Sequence, residues 1–145
     1  MKLFEILTKK FTDLEVNEDN EDQYNVTANV GNRNINFDAQ RWTDEEFSYW
    51  EVDFSEEKMT DGKLRNTYAL TKAGKEFDVF AFIKQCMEQF IQKHHPNMIK
   101  FTADKEGSES RASVYERLLK KFLKGYSIMI TDDGSRQVKF TLKKL

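Results

Sequence analysis

Glu51 and Asp53 lie two residues apart in a run that alternates polar and apolar positions, so both project from one face of an extended strand. If that face lines a cleft, the pair can serve as a general base; otherwise it is a solvent-facing strand edge. Lys100, Lys105, Arg111 and Arg117 surround the stretch Ala103 to Arg111, a polar hinge that leads into a helix. Basic groups before a helix N-terminus can hold an anion, although Asp104, Glu106 and Glu109 share the stretch and oppose that field. Ser110-Arg111 is the sharpest binding candidate there, with Lys105 and Arg117 beside it. Tyr115 falls on the apolar stripe of the helix that follows, where it either packs or donates a proton.

Other reactive types lack the company that chemistry needs. Cys86 is the only cysteine, which leaves neither an intrachain disulfide nor a cysteine-based zinc site. It also sits inside a helical apolar stripe, where a thiol is packing material. His94 and His95 are adjacent, so they cannot share a helix face as an i, i+4 ligand pair would, and no metal is expected. Asp132-Asp133-Gly134 reads as a turn. The sequence contains no G-x-x-x-x-G-K-[ST], no G-x-G-x-x-G and no G-x-S-x-G.

The elements that must position these residues follow from period. Leu3, Phe4, Leu7, Phe11 and Leu14 have helical spacing, and Asn17 to Gln23 then reads as an acidic, solvated loop. Tyr24, Val26, Ala28 and Val30 alternate, as do Ile35, Phe37 and Ala39. The Gly31-Asn32 pair between the two runs predicts a β-hairpin. Phe47 to Phe54 is a third strand, Ser55 to Asn66 a polar connection with an Asp61-Gly62 turn, and Thr67 to Leu70 a fourth strand. Phe77, Phe80, Ile83, Met87, Phe90 and Ile91 then form the broadest helical stripe, which Pro96 stops. Met98 to Phe101 is a short strand. A second helix carries Ala112, Tyr115, Leu118, Leu119 and Phe122 inward and ends at Gly125. Tyr126 to Ile130 and Val138 to Leu142 close the chain as a hairpin. The expected architecture is one α+β domain over residues 1–145, with a mainly antiparallel sheet and two main helices.

Hydrophobic residues make up 39% of the 145, with twelve Phe, which is enough to drive one core. No apolar run reaches the roughly 18 residues that a bilayer demands, and MKLFEILTKK is too short for a secretory signal. A single cysteine fits a reducing cytoplasm. The net charge of −2 hides an asymmetry: residues 1–62 hold 16 acids and 6 bases, residues 63–145 hold 9 acids and 17 bases. Either the halves attract each other in the fold, or one face presents a field to a partner.

Two resemblances add to this reading. A meander followed by helix, strand, helix and hairpin resembles the GNAT-type N-acetyltransferases over about residues 47–142. Arg111-Ala112 followed by Tyr115-Glu116-Arg117-Leu118 is similar to that family's Arg-Ala…Tyr-Glu-Arg/Lys-Leu. The resemblance implies a GNAT-like core, acetyl-coenzyme A with its pyrophosphate at the central helix, and a strand that splays to admit the pantetheine arm. It further implies Tyr115 as the acid that protonates a thiolate, with Glu51 or Asp53 available as base. Leu70 to Val79 offers only Gly74 where the family has its pyrophosphate signature. Phe77-Asp78-Val79-Phe80-Ala81, Pro96, Ile99, Phe101, Ala103, Lys105, Ser110-Arg111, Tyr115 and Arg117 also resemble a pattern in small uncharacterised proteins of tailed bacteriophages. That likeness implies phage origin and a place in the host cytoplasm or the virion. A protein that binds a host or virion protein is the first expectation, nucleic acid a lesser one, and an acyl-coenzyme A-dependent transferase the alternative.

Overall fold

A computed structural model describes residues 10–30, 33–44, 46–60, 62–67, 76–104, 111–132 and 134–145. In chain order the elements are β1 (Glu15–Asp19), β2 (Gln23–Val30), β3 (Arg33–Thr43), β4 (Ser48–Thr60), β5 (Lys63–Thr67), α1 (Glu76–His94), β6 (Met98–Asp104), α2 (Arg111–Phe122), β7 (Tyr126–Asp132) and β8 (Gln137–Lys144). They build one α+β fold around an eight-stranded sheet, ordered β1-β2-β3-β4-β6-β8-β7 with β5 on β4. Every pairing is antiparallel except β4 with β6.

Alternation fixes which face of the sheet is covered. Tyr24, Val26, Ile35, Phe37, Trp50, Val52, Ile99, Phe101, Phe140 and Leu142 are buried on one side. Both helices lie there: Phe90 of α1 meets Tyr24, Phe37 and Trp50, while Tyr115 of α2 meets Phe54 and Phe101. The other face carries polar residues such as Asn25, Asn36 and Asp38, which hydrogen-bond to one another across strands.

The helix ends follow their local chemistry. The His95 amide donates to the Ile91 carbonyl and His95 adopts a positive φ of 47°, which closes α1 before Pro96. Lys93 and His94 occupy the last turn, where carbonyl ends favour cations. Past α2, Gly125 takes a φ of 83°, which L side chains rarely adopt, and it lets the chain turn into β7.

Two expectations give way. The acidic loop Asn17 to Gln23 is in part strand: β1 pairs with β2, with every residue exposed. An edge strand needs backbone partners rather than an apolar face, so period carries no sign of it. The polar connection after Phe54 is likewise paired, since β4 runs on to Thr60 and Gly62, at a φ of 75°, turns the chain into β5. β5 spans Lys63–Thr67 and meets the expected fourth strand, Thr67–Leu70, at Thr67. Residues 10–14 are not helical, and the rest of the expected N-terminal helix lies outside the described residues, as do Gly31-Asn32, Asp61, residues 68–70 and Gly74.

Candidate functional site

The one parallel contact in the sheet is also its weakest seam. β4 and β6 pair at Trp50 with Ile99 and at Glu51 with Lys100, and then part. The cause is competition for an edge. β3 holds one side of β4 from Ser48 to Glu57, and β5 takes the other side from Glu56 onward. β6 cannot occupy the same edge and stays with β8 out to Asp104. Among the described residues, Val52 to Ser55 therefore have a strand on one side only.

On the helix side this split is filled. Phe54, Phe101 and Tyr115 sit with ring centroids 5.6–5.8 Å apart, and Phe80 meets Tyr115 edge-on at 5.1 Å. Phe101 stacks on Phe140 at 4.7 Å. A gap of about 20 Å³ remains beside Tyr115, apolar in lining and no roomier than a single water would need.

On the open side the split widens into a cleft of about 180 Å³, lined by Tyr49, Glu51, Asp53, Lys100, Thr102 and Lys139. The carboxylates come from β4 and the ammonium groups from β6 and β8, so charge changes sign across the cleft. This is where the acidic half of the chain meets the basic half. Lys100 Nζ lies 4.4 Å from the Tyr49 ring centre, a cation–π contact that holds one wall. Desolvation, then the neighbouring Glu51 and Asp38 carboxylates, push the Asp53 carboxyl above its ordinary range.

A raised carboxyl contributes stability below its unfolded value and loses it as pH rises through the folded value. Asp53→Asn is thus expected to raise the melting temperature at pH 7 and to leave it unchanged near pH 3. Thermal melts at the two pH values check this; a drop at pH 7 would mean that Asp53 is attracted, not crowded.

The sequence candidates divide across this geometry. Glu51 and Asp53 come together with Lys100 in the cleft. Tyr115 is 5% exposed and lies on the opposite, helix-bearing face, so the sheet stands between it and both carboxylates. Arg117 is exposed on α2. Lys105 and Ser110 lie outside the described residues, and Arg111 is described only as the first residue of α2. Sequence reasoning missed Lys139 and Thr102. The alternation of Val138, Phe140 and Leu142 puts Lys139 on the polar face, but only the β6–β8 register sets it opposite Thr102.

Elsewhere, Cys86 is buried, and burial pushes its thiol well up. His94 is not the solvated helix end that its position suggests. Its ring packs against Tyr24, Trp50 and Phe90, and its Nε2 lies 2.7 Å from Asp19 Oδ1. Partial burial raises the Asp19 carboxyl, but hydrogen bonds from His94 and Lys93 outweigh this and hold it below its usual value. Among the described residues no group of three His, Cys, Asp or Glu could hold a metal, and no helix is long and apolar enough to cross a membrane. The chain matches no family model, no curated protein and no solved structure.

Proposed function

We propose that the protein works by binding: it holds an extended, peptide-like segment of a protein partner in the split between β4 and β6. The observation that carries this reading is the β4 edge at Val52 to Ser55, which no described strand pairs between β5 and β6, beside two walls of opposite charge. An added strand draws affinity from main-chain hydrogen bonds and specificity from alternate side chains. Four residues of edge take a segment of roughly 13 Å. Glu51 and Asp53 would meet its basic groups, Lys100 and Lys139 its acidic ones. The chain is read here as phage-encoded, with its partner in the host cytoplasm or the virion.

The double variant Lys100→Gln/Lys139→Gln keeps the side-chain stems and removes both positive charges. In affinity capture from host lysate, a partner enriched by the wild type is expected to fall about tenfold or more with the variant, at unchanged melting temperature. A partner retained in full places binding elsewhere on the molecule. Repeated failure to enrich any protein removes the reading.

A second reading draws on the same split. In a GNAT-like acyl-coenzyme A-dependent transferase, parallel strands part to admit the pantetheine arm, which carries amides as a peptide does. The strand order and the position of Tyr115 under the split favour it. Its pyrophosphate loop would fall largely on residues outside the described set. Acetyl-coenzyme A at 100 times its dissociation constant stabilises a fold by about 2.7 kcal/mol. A melt without a shift at millimolar acetyl-coenzyme A removes this reading and leaves the first standing.

A further inference from the structure

Among the described residues, the two end strands of the sheet path, β1 and β7, are built differently. β1 is guarded in the usual ways, with acidic residues along it and a register shift between Val16 and Glu18. β7, at the other end, has no register shift, and its one acidic residue, Asp132, stands at its last position. Its register with β8 runs unbroken from Tyr126 to Asp132, and it contains no lysine and no proline. Met129 is 64% exposed and Ile130 37%. An edge of unbroken register with exposed apolar residues at its centre is a template for another strand.

The pattern along β7 says which strand fits. The Leu145 amide donates to the Gly125 carbonyl, so alternate residues Ser127, Met129 and Thr131 turn their main chain toward β8. Tyr126, Ile128, Ile130 and Asp132 turn theirs outward. Reading outward from Met129 gives Ile128 and Ile130, then Ser127 and Thr131: a near-palindrome that complements itself when the direction is reversed. Charge permits the approach. Lys139 and Lys143 lie on β8, and across a β8-β7-β7-β8 ribbon the two β8 strands stand about 14 Å apart. That exceeds the screening length of about 8 Å at physiological salt.

We propose that two copies of this chain pair antiparallel through their β7 edges, about a two-fold axis at Met129. Ile128 of each copy exchanges main-chain hydrogen bonds with Ile130 of the other, and the two Met129 side chains meet on the polar side of a continuous sheet. Such an isologous seam closes on itself and leaves no further edge of this kind open.

The register makes the test specific. In a non-hydrogen-bonded antiparallel pair the Cα atoms stand about 4.5 Å apart, within disulfide reach. Met129→Cys is therefore expected to give a covalent dimer under mild oxidation. Ser127→Cys, about 14 Å from its counterpart, is expected to give none. Cys86 is fully buried and does not compete. The wild type should sediment at about 100 µM with twice its 17.2 kDa mass. Ile130→Pro deletes an outward amide and spares the β7–β8 ladder, so it should sediment at the single-chain mass with unchanged circular dichroism. A monomeric wild type, equal cross-linking at both cysteine positions, or a folded Ile130→Pro variant that still dimerises would each overturn the proposal.

Discussion

Phe90→Ala is expected to cost the fold about 3–5 kcal/mol, the range for emptying a buried aromatic site. Phe90 is fully buried where α1 crosses three strands. It stacks on Tyr24 at 5.8 Å, takes Trp50 edge-on at 4.9 Å, and meets Phe37 at 6.3 Å and His94 at 5.5 Å. Four rings around one phenyl cannot close over the hole together, because each is fixed by a different element. Domains hold only about 5–15 kcal/mol in total, so the loss is a large share. For chains near this size each kcal/mol moves the melting temperature by roughly 2–4 °C, which makes the drop about 10 °C. Phe47, nearly half exposed, is the control, and its alanine variant should stay within about 0.5 kcal/mol of wild type. Urea denaturation of both variants checks the contrast. A Phe90→Ala loss below 1 kcal/mol would mean that α1 does not seat on β2, β3 and β4 as described.

The Phe90 stripe is legible in the sequence because a helix writes its buried face into i, i+3, i+4 spacing. The same holds for Tyr24, Val26, Ile35 and Phe37, where period two marks strands with one wet side. β1 and β5 were not legible, and for one reason. Their residues are placed by backbone pairing, and no apolar period marks either segment, so EVNED looks like any acidic loop. The split depends on that blind spot, since it exists because β5 takes the edge of β4 that β6 would otherwise extend along. Glu51 and Asp53 could be placed on one face from the sequence. That Lys100 and Lys139 stand opposite them follows from sheet order, which no local pattern records. The charge asymmetry was the nearest available signal, for it marks the two halves that meet at this seam.

Tyr115 is where framework and chemistry make different demands, and two substitutions separate them. Tyr115→Ala removes the ring that Phe54, Phe80 and Phe101 surround, and is expected to cost about 3–5 kcal/mol under any reading of function. Tyr115→Phe keeps that ring. Losing the hydroxyl and its hydrogen bonding should cost only about 1 kcal/mol. If Tyr115 protonates a leaving thiolate, however, the same small change removes general acid catalysis, about 10²–10⁴-fold in rate. The binding reading expects Tyr115→Phe to capture the same partner with unchanged strength, because the hydroxyl lies on the helix side of the sheet and the cleft on the other. Stability, partner capture and acetyl transfer measured on one preparation thus give different signatures. A stable variant that keeps its partner makes the ring a plug under the split. A stable variant that loses measurable transfer makes the plug an acid, and the split a coenzyme channel.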